Sequence, residues 1–132
     1  MEIVSGIHLI PHWMVNCYLI VEPDGVTLID AGISERSVLK YLEGLGRPLT
    51  DLKRIIITHA DPDHVGALAD LAAASGAQIY ASPIEAQAIA AGRASRPLPS
   101  LLARMVVKIL RTKPARVDHS SRTGRNCRSG AD

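Results

Sequence analysis

The chain has 132 residues, 47% of them apolar, with one Trp, three Tyr and no Phe, and a net charge of +2. That length bounds it to one domain, whose core must come from Ile, Leu, Val and Ala. No run of about 18 apolar residues marks a transmembrane helix, no basic-then-apolar start marks a secretory signal, and two distant cysteines, Cys17 and Cys127, form no disulfide framework, which predicts a reducing cytoplasm.

Ile3 to Ile10 is apolar-rich and stops at Pro11, so it reads as an opening strand. Val15 to Val21 reads as a second. Pro23-Asp24-Gly25 carries turn chemistry, and Val26 to Ile29 follows as a third strand, making a hairpin with the second. Asp30-Ala31-Gly32 closes it. A carboxylate at a strand end can order the loops of a site; the plainer reading is an Asp-containing turn.

Ser34 can cap a helix over residues 35–46, with Val38, Leu39, Leu42 and Leu45 on one face and glycines at its end. The next strand, Ile55 to Ile57, is short and apolar. A strand–helix–strand crossover of this kind predicts parallel pairing. A second helix begins near His64, with Val65, Leu68, Ala69 and Ala72 as its buried face and Gly76 beyond it. Gln78 to Ala81 is a further strand. Ser82-Pro83-Ile84-Glu85 has the form of a capping box with Pro at the first helical position, opening a helix that runs to about Ala91.

Residues 93–100 read as a linker. Leu101, Leu102, Met105, Val106, Ile109 and Leu110 then form an apolar helical stripe suited to packing on the domain or on a partner, in preference to lying on a membrane surface. Residues 1–92 hold 5 Lys/Arg against 11 Asp/Glu, whereas residues 93–132 hold 10 against 2. The basic part has no aromatic side chain to stack on a base, so nucleic acid is not the favoured partner. The expected domain covers residues 1–116, and residues 117–132 form an irregular tail without periodicity.

Between the Ile55–Ile57 strand and the second helix lie His59, Asp61, Asp63 and His64. Imidazole and carboxylate are the donors that bind zinc and similar divalent ions. Helix capping explains one Asp; it does not explain two His and two Asp within six residues.

Thr58-His59-Ala60-Asp61-Pro62-Asp63-His64-Val65-Gly66 resembles the His-x-His-x-Asp-His motif of the metallo-β-lactamase fold superfamily, with Asp61 where the commonest form has a second His. Asn16-Cys17-Tyr18-Leu19-Ile20 is similar to an early strand of that superfamily, and Asp30-Ala31-Gly32 to its first motif, where the Asp buttresses the metal centre without binding it. The resemblance implies an α/β fold, the N-terminal half of an αββα sandwich with a mixed sheet and flanking helices. It implies one or two zinc ions, with iron or manganese as alternatives, held by His59, Asp61, Asp63 and His64.

The activity it implies is hydrolysis of a small-molecule ester, thioester, lactone or phosphoester by metal-activated water, with Asp63 orienting the nucleophile or passing its proton. The superfamily's later His, bridging Asp and final His have no counterpart in the chain. This makes a catalytically inactive, metal-binding remnant the alternative, one that self-associates through the exposed half-sandwich face. The tail also fits an out-of-frame origin: shifted by one base, GC-rich codons for Ser121 to Asp132 can encode a segment similar to the one superfamily members carry there.

Overall fold

The computed structural model describes residues 1–11, 15–32, 34–59, 67–91 and 114–120. Among these described residues, seven strands form one sheet in chain order: β1 (Glu2–Val4), β2 (Ile7–Pro11), β3 (Asn16–Glu22), β4 (Gly25–Ile29), β5 (Leu52–Ile56), β6 (Gln78–Ala81) and β7 (His119–Ser120). Helices α1 (Arg36–Gly44), α2 (Leu68–Ser75) and α3 (Pro83–Ala91) flank it.

The sheet is mixed. Strands β1 to β4 pair antiparallel, each with the next. Strands β4 to β7 pair parallel, since each link from β4 to β6 passes through a helix before returning. The expected hairpin of β3 with β4 and the parallel pairing of β4 with β5 are both found. The opening strand differs from its expectation: Gly6 at φ +81° breaks it into the β1–β2 hairpin, and Val4 pairs with Ile7. The Ser5-Gly6 dipeptide is a turn signal that the apolar run around it masked.

Alternation along the strands separates the two faces of the sheet. Ile10, Cys17, Leu19, Leu28, Leu52, Ile55 and Ile79 are buried, as are Val38 and Leu42 of α1 and Leu68 and Leu71 of α2. The apolar stripe of α1 is narrower than its sequence pattern, for Leu39 and Leu45 stay 38% and 37% exposed. Along the other face, the register aligns Leu9, Tyr18, Ile29, Ile56 and Tyr80 in one row across five strands; Ile56 is 38% exposed.

Helix α2 ends at Gly76, whose φ of +75° forms a left-handed cap while its N–H donates to the Ala72 carbonyl. The Ser82 hydroxyl accepts weakly from Glu85 N–H at 3.4 Å at the start of α3. The sheet continues past the boundary drawn at residue 116. Asp118 accepts from Ile79 N–H at 2.8 Å and its own N–H donates to the Ile79 carbonyl at 2.9 Å. His119 stacks on Tyr80 with ring centroids 4.4 Å apart. The expected linker and helix over 93–110, the start of the second helix and the segment 121–132 lie outside the described residues.

Candidate functional site

The parallel register brings the carboxyl ends of four strands to one edge of the sheet, with Ile29, Ile56, Tyr80 and His119 side by side. In parallel α/β sheets this is the edge where ligands bind. Asp30 leaves β4 there, and Thr58 and His59 follow β5.

Asp30 is 5% exposed and has φ +61°, the left-handed region seldom used by residues other than Gly, Asn and Asp. Its N–H still donates to the Ile56 carbonyl at 2.9 Å, so the ladder holds while the chain turns sharply. That turn aims the carboxylate at the residue leaving β5. Oδ1 accepts from Thr58 N–H at 2.9 Å, and Oδ2 accepts from Thr58 Oγ1 at 2.7 Å. Thr58 Oγ1 in turn lies 3.2 Å from His59 Nδ1. A buried carboxylate is thus linked through a hydroxyl to an imidazole. A carboxylate placed behind an imidazole is the kind of outer support that metal-ligating histidines have, and an imidazole nitrogen is a donor that suits zinc.

Two further contacts frame the edge. Ala67 N–H donates to the Gly32 carbonyl at 2.9 Å, tying the entry of α2 to the loop after β4. Cys17, fully buried on β3, has its thiol pushed from 9.0 up to about 12, first by desolvation and then by the Asp30 carboxylate. It is a packing residue, with no thiolate to offer a metal near neutral pH.

Of the residues expected at the site, Asp30 and His59 are joined through Thr58, while Asp61, Asp63 and His64 lie outside the described residues. Among the described residues, no three His, Cys, Asp or Glu side chains gather into a metal-holding group. The sequence pattern assigns Thr58 no role. Its one signal is a hydroxyl placed between the end of an apolar strand and the first candidate ligand.

Comparison with known proteins matches residues 10–123 to the sequence profile of the metallo-beta-lactamase superfamily. The uncharacterised protein YobT of Bacillus subtilis (strain 168) is 47% identical over 60 residues, which is 44% of this chain and 24% of that protein. The hydroxyacylglutathione hydrolase of Albidiferax ferrireducens is 33% identical over 93 residues, 70% of this chain and 29% of the hydrolase. Among solved structures, a metallo-beta-lactamase of Cronobacter sakazakii with a HARLDQ motif superposes with a TM-score of 0.77 at 28% identity, covering 94% of this chain and 48% of the other. The MIM-2 metallo-beta-lactamase gives 0.74 at 29%, covering 90% and 43%. The chain therefore spans about half the length of these two solved structures and about a quarter of the length of these two curated relatives.

Proposed function

The chain belongs to the metallo-beta-lactamase superfamily, and on that premise we propose that it is the part of a metal-dependent hydrolase that carries the first ligand group, with His59, Asp61, Asp63 and His64 holding zinc. The observation that carries this reading is the Asp30–Thr58–His59 network at the carboxyl end of β5, immediately before the other three donors in the sequence. The chemistry zinc would supply when bound is Lewis acidity, which lowers the pKa of a bound water towards neutrality.

The residues divide the remaining work. Asp30 fixes the backbone where β5 becomes loop, through Thr58 N–H. His59 supplies a nitrogen donor from that anchored position. Asp61 supplies an oxygen donor where the commoner motif has nitrogen, making the site more anionic. A carboxylate oxygen of Asp63 orients the attacking water or takes its proton. Among the substrate classes, a thioester is favoured by the likeness to hydroxyacylglutathione hydrolase.

Equilibrium dialysis against zinc, with elemental analysis, tests the reading. The wild-type chain should retain one or two ions and His59→Ala should lose most of that binding. A wild-type chain that retains none overturns it. Turnover of acyl-thioester, ester, lactone and phosphodiester panels by the zinc-loaded chain then separates an enzyme from a binding module.

A second reading is favoured by the open sheet face. The Leu9–Tyr18–Ile29–Ile56–Tyr80 row, with Ile56 38% exposed, suits a metal-binding subunit that covers this face with a second copy of itself. Light scattering should then give a dimer that Ile56→Lys converts to monomer; a monomeric wild type rules this reading out.

A further inference from the structure

Thr58 Oγ1 sits between two groups that compete for its single proton. The Asp30 carboxylate accepts only, and lies 2.7 Å away on the buried side, at the length of a charge-assisted O–H···O⁻ bond. The His59 ring nitrogen is farther, at 3.2 Å. The shorter, charged contact takes the hydroxyl proton. Thr58 Oγ1 then faces Nδ1 with lone pairs alone, and the Nδ1 contact is a hydrogen bond only if Nδ1 carries the hydrogen.

We infer that Thr58 is a positioning residue that fixes His59 as the Nδ1–H tautomer, making Nε2 the nitrogen through which it would ligate a metal. The inference rests on the proposed role of His59 as a ligand. It gives Asp30 a second task beyond holding the backbone, since its charge sets the direction of the Thr58 hydroxyl and hence the tautomer one residue further on. A free histidine side chain favours the opposite tautomer, Nε2–H. A histidine not held in this way would have to shift its proton before ligating through Nε2. Thr58 is exposed at the surface, so water competes for its lone pairs, and a measurement in solution is the deciding test.

The test is a two-bond ¹H–¹⁵N spectrum of the full chain labelled at histidine, metal-free, at about pH 8, so that the neutral ring is observed. The His59→Ala spectrum assigns the His59 signals. Wild type should show the Nδ1–H pattern for His59, Thr58→Ser should keep it, and Thr58→Val should move it to the Nε2–H pattern. A wild-type His59 in the Nε2–H form overturns the inference without any variant, as does a folded Thr58→Val that keeps the wild-type pattern. Zinc binding is read in the same samples. Thr58→Val should weaken it by about 10-fold to 100-fold, the range for losing a group that supports a ligand, and Thr58→Ser should restore it. If wild type shows the Nδ1–H pattern and His59→Ala binds zinc as wild type does, the ligand role fails while the tautomer assignment stands.

Discussion

Asp30 Oδ2 and Thr58 Oγ1 lie 2.7 Å apart across the β4–β5 pair, 28 residues apart in sequence. The contact exists because two strands run in the same direction, Ile29 opposite Ile56, and because Asp30 accepts a left-handed backbone. One side chain thereby joins the ends of two strands that carry the whole candidate site.

Replacing Asp30 with Ala removes both bonds to Thr58 and leaves a side chain that tolerates positive φ poorly. Losing the bonds costs about 1–3 kcal/mol, and left-handed Ala adds about 1–2 kcal/mol. Urea unfolding should show a loss of about 2–5 kcal/mol, the two contributions together. Asp30→Asn, which keeps the shape, an acceptor oxygen and a residue at ease in this backbone, should lose less than Asp30→Ala.

Cys17 ties stability to alkaline pH. In the unfolded chain its thiol ionises near 9.0, whereas in the fold it is held up to about 12 by burial and by Asp30. Above the lower value the unfolded state sheds a proton that the folded state keeps. The stabilisation is therefore complete below about pH 9 and is lost progressively towards pH 12. Unfolding free energies measured from about pH 8 to about pH 11 should fall, and Cys17→Ala should make the fall shallower. In a Cys127→Ser background, the native chain should react with a thiol reagent only slowly at about pH 8, and quickly in denaturant.

Gly25 begins β4 at φ +150°, and a Cβ there would lie 2.5 Å from Lys53 Cγ and 3.1 Å from the Asp51 carbonyl oxygen. The lysine side chain can swing away; the backbone oxygen and the dihedral cannot. Gly25→Ala should cost about 1–3 kcal/mol by thermal or urea unfolding. At Gly44 an added Cβ would meet nothing within 4 Å, and the residue lies in a helix, so Gly44→Ala should be neutral or stabilising by up to about 1 kcal/mol.

Asp61 stands where the commoner form of the motif has His. Nitrogen donors suit zinc, while carboxylate oxygens also suit manganese. Asp61→His should raise the preference for zinc over manganese by roughly a factor of ten, equal to about 1.4 kcal/mol. Competitive dialysis against both metals measures it, and an unchanged ratio would remove Asp61 from the ligand set.

Most of the sheet was legible from residue pattern. The β3–β4 hairpin followed from Pro23-Asp24-Gly25, and the parallel partner of β4 followed from the helix between them. Gly76 and Ser82 marked a helix end and a helix start. What could not be read were features that depend on distant partners. Strand β7 has only two residues and owes its place to pairing with β6 and to Asp118 on Ile79. The buried face of α1 rests on Val38 and Leu42 alone, because packing against the sheet decides which leucines are covered. Asp30 stood out in the sequence as a strand-end carboxylate, and the structure places it on Thr58. Its route to His59 was not legible, since no spacing rule reveals that a hydroxyl lies between them.

With β4 to β7 all running one way, the turns at their carboxyl ends are free to vary while the opposite border and the apolar layer beneath stay constant. New preferences for what that rim holds can then arise by insertion or exchange of a few loop residues, without reopening the question of whether the polypeptide folds. An architecture divided in this way is well placed for diversification, because trial and error at one rim leaves the rest of the molecule undisturbed.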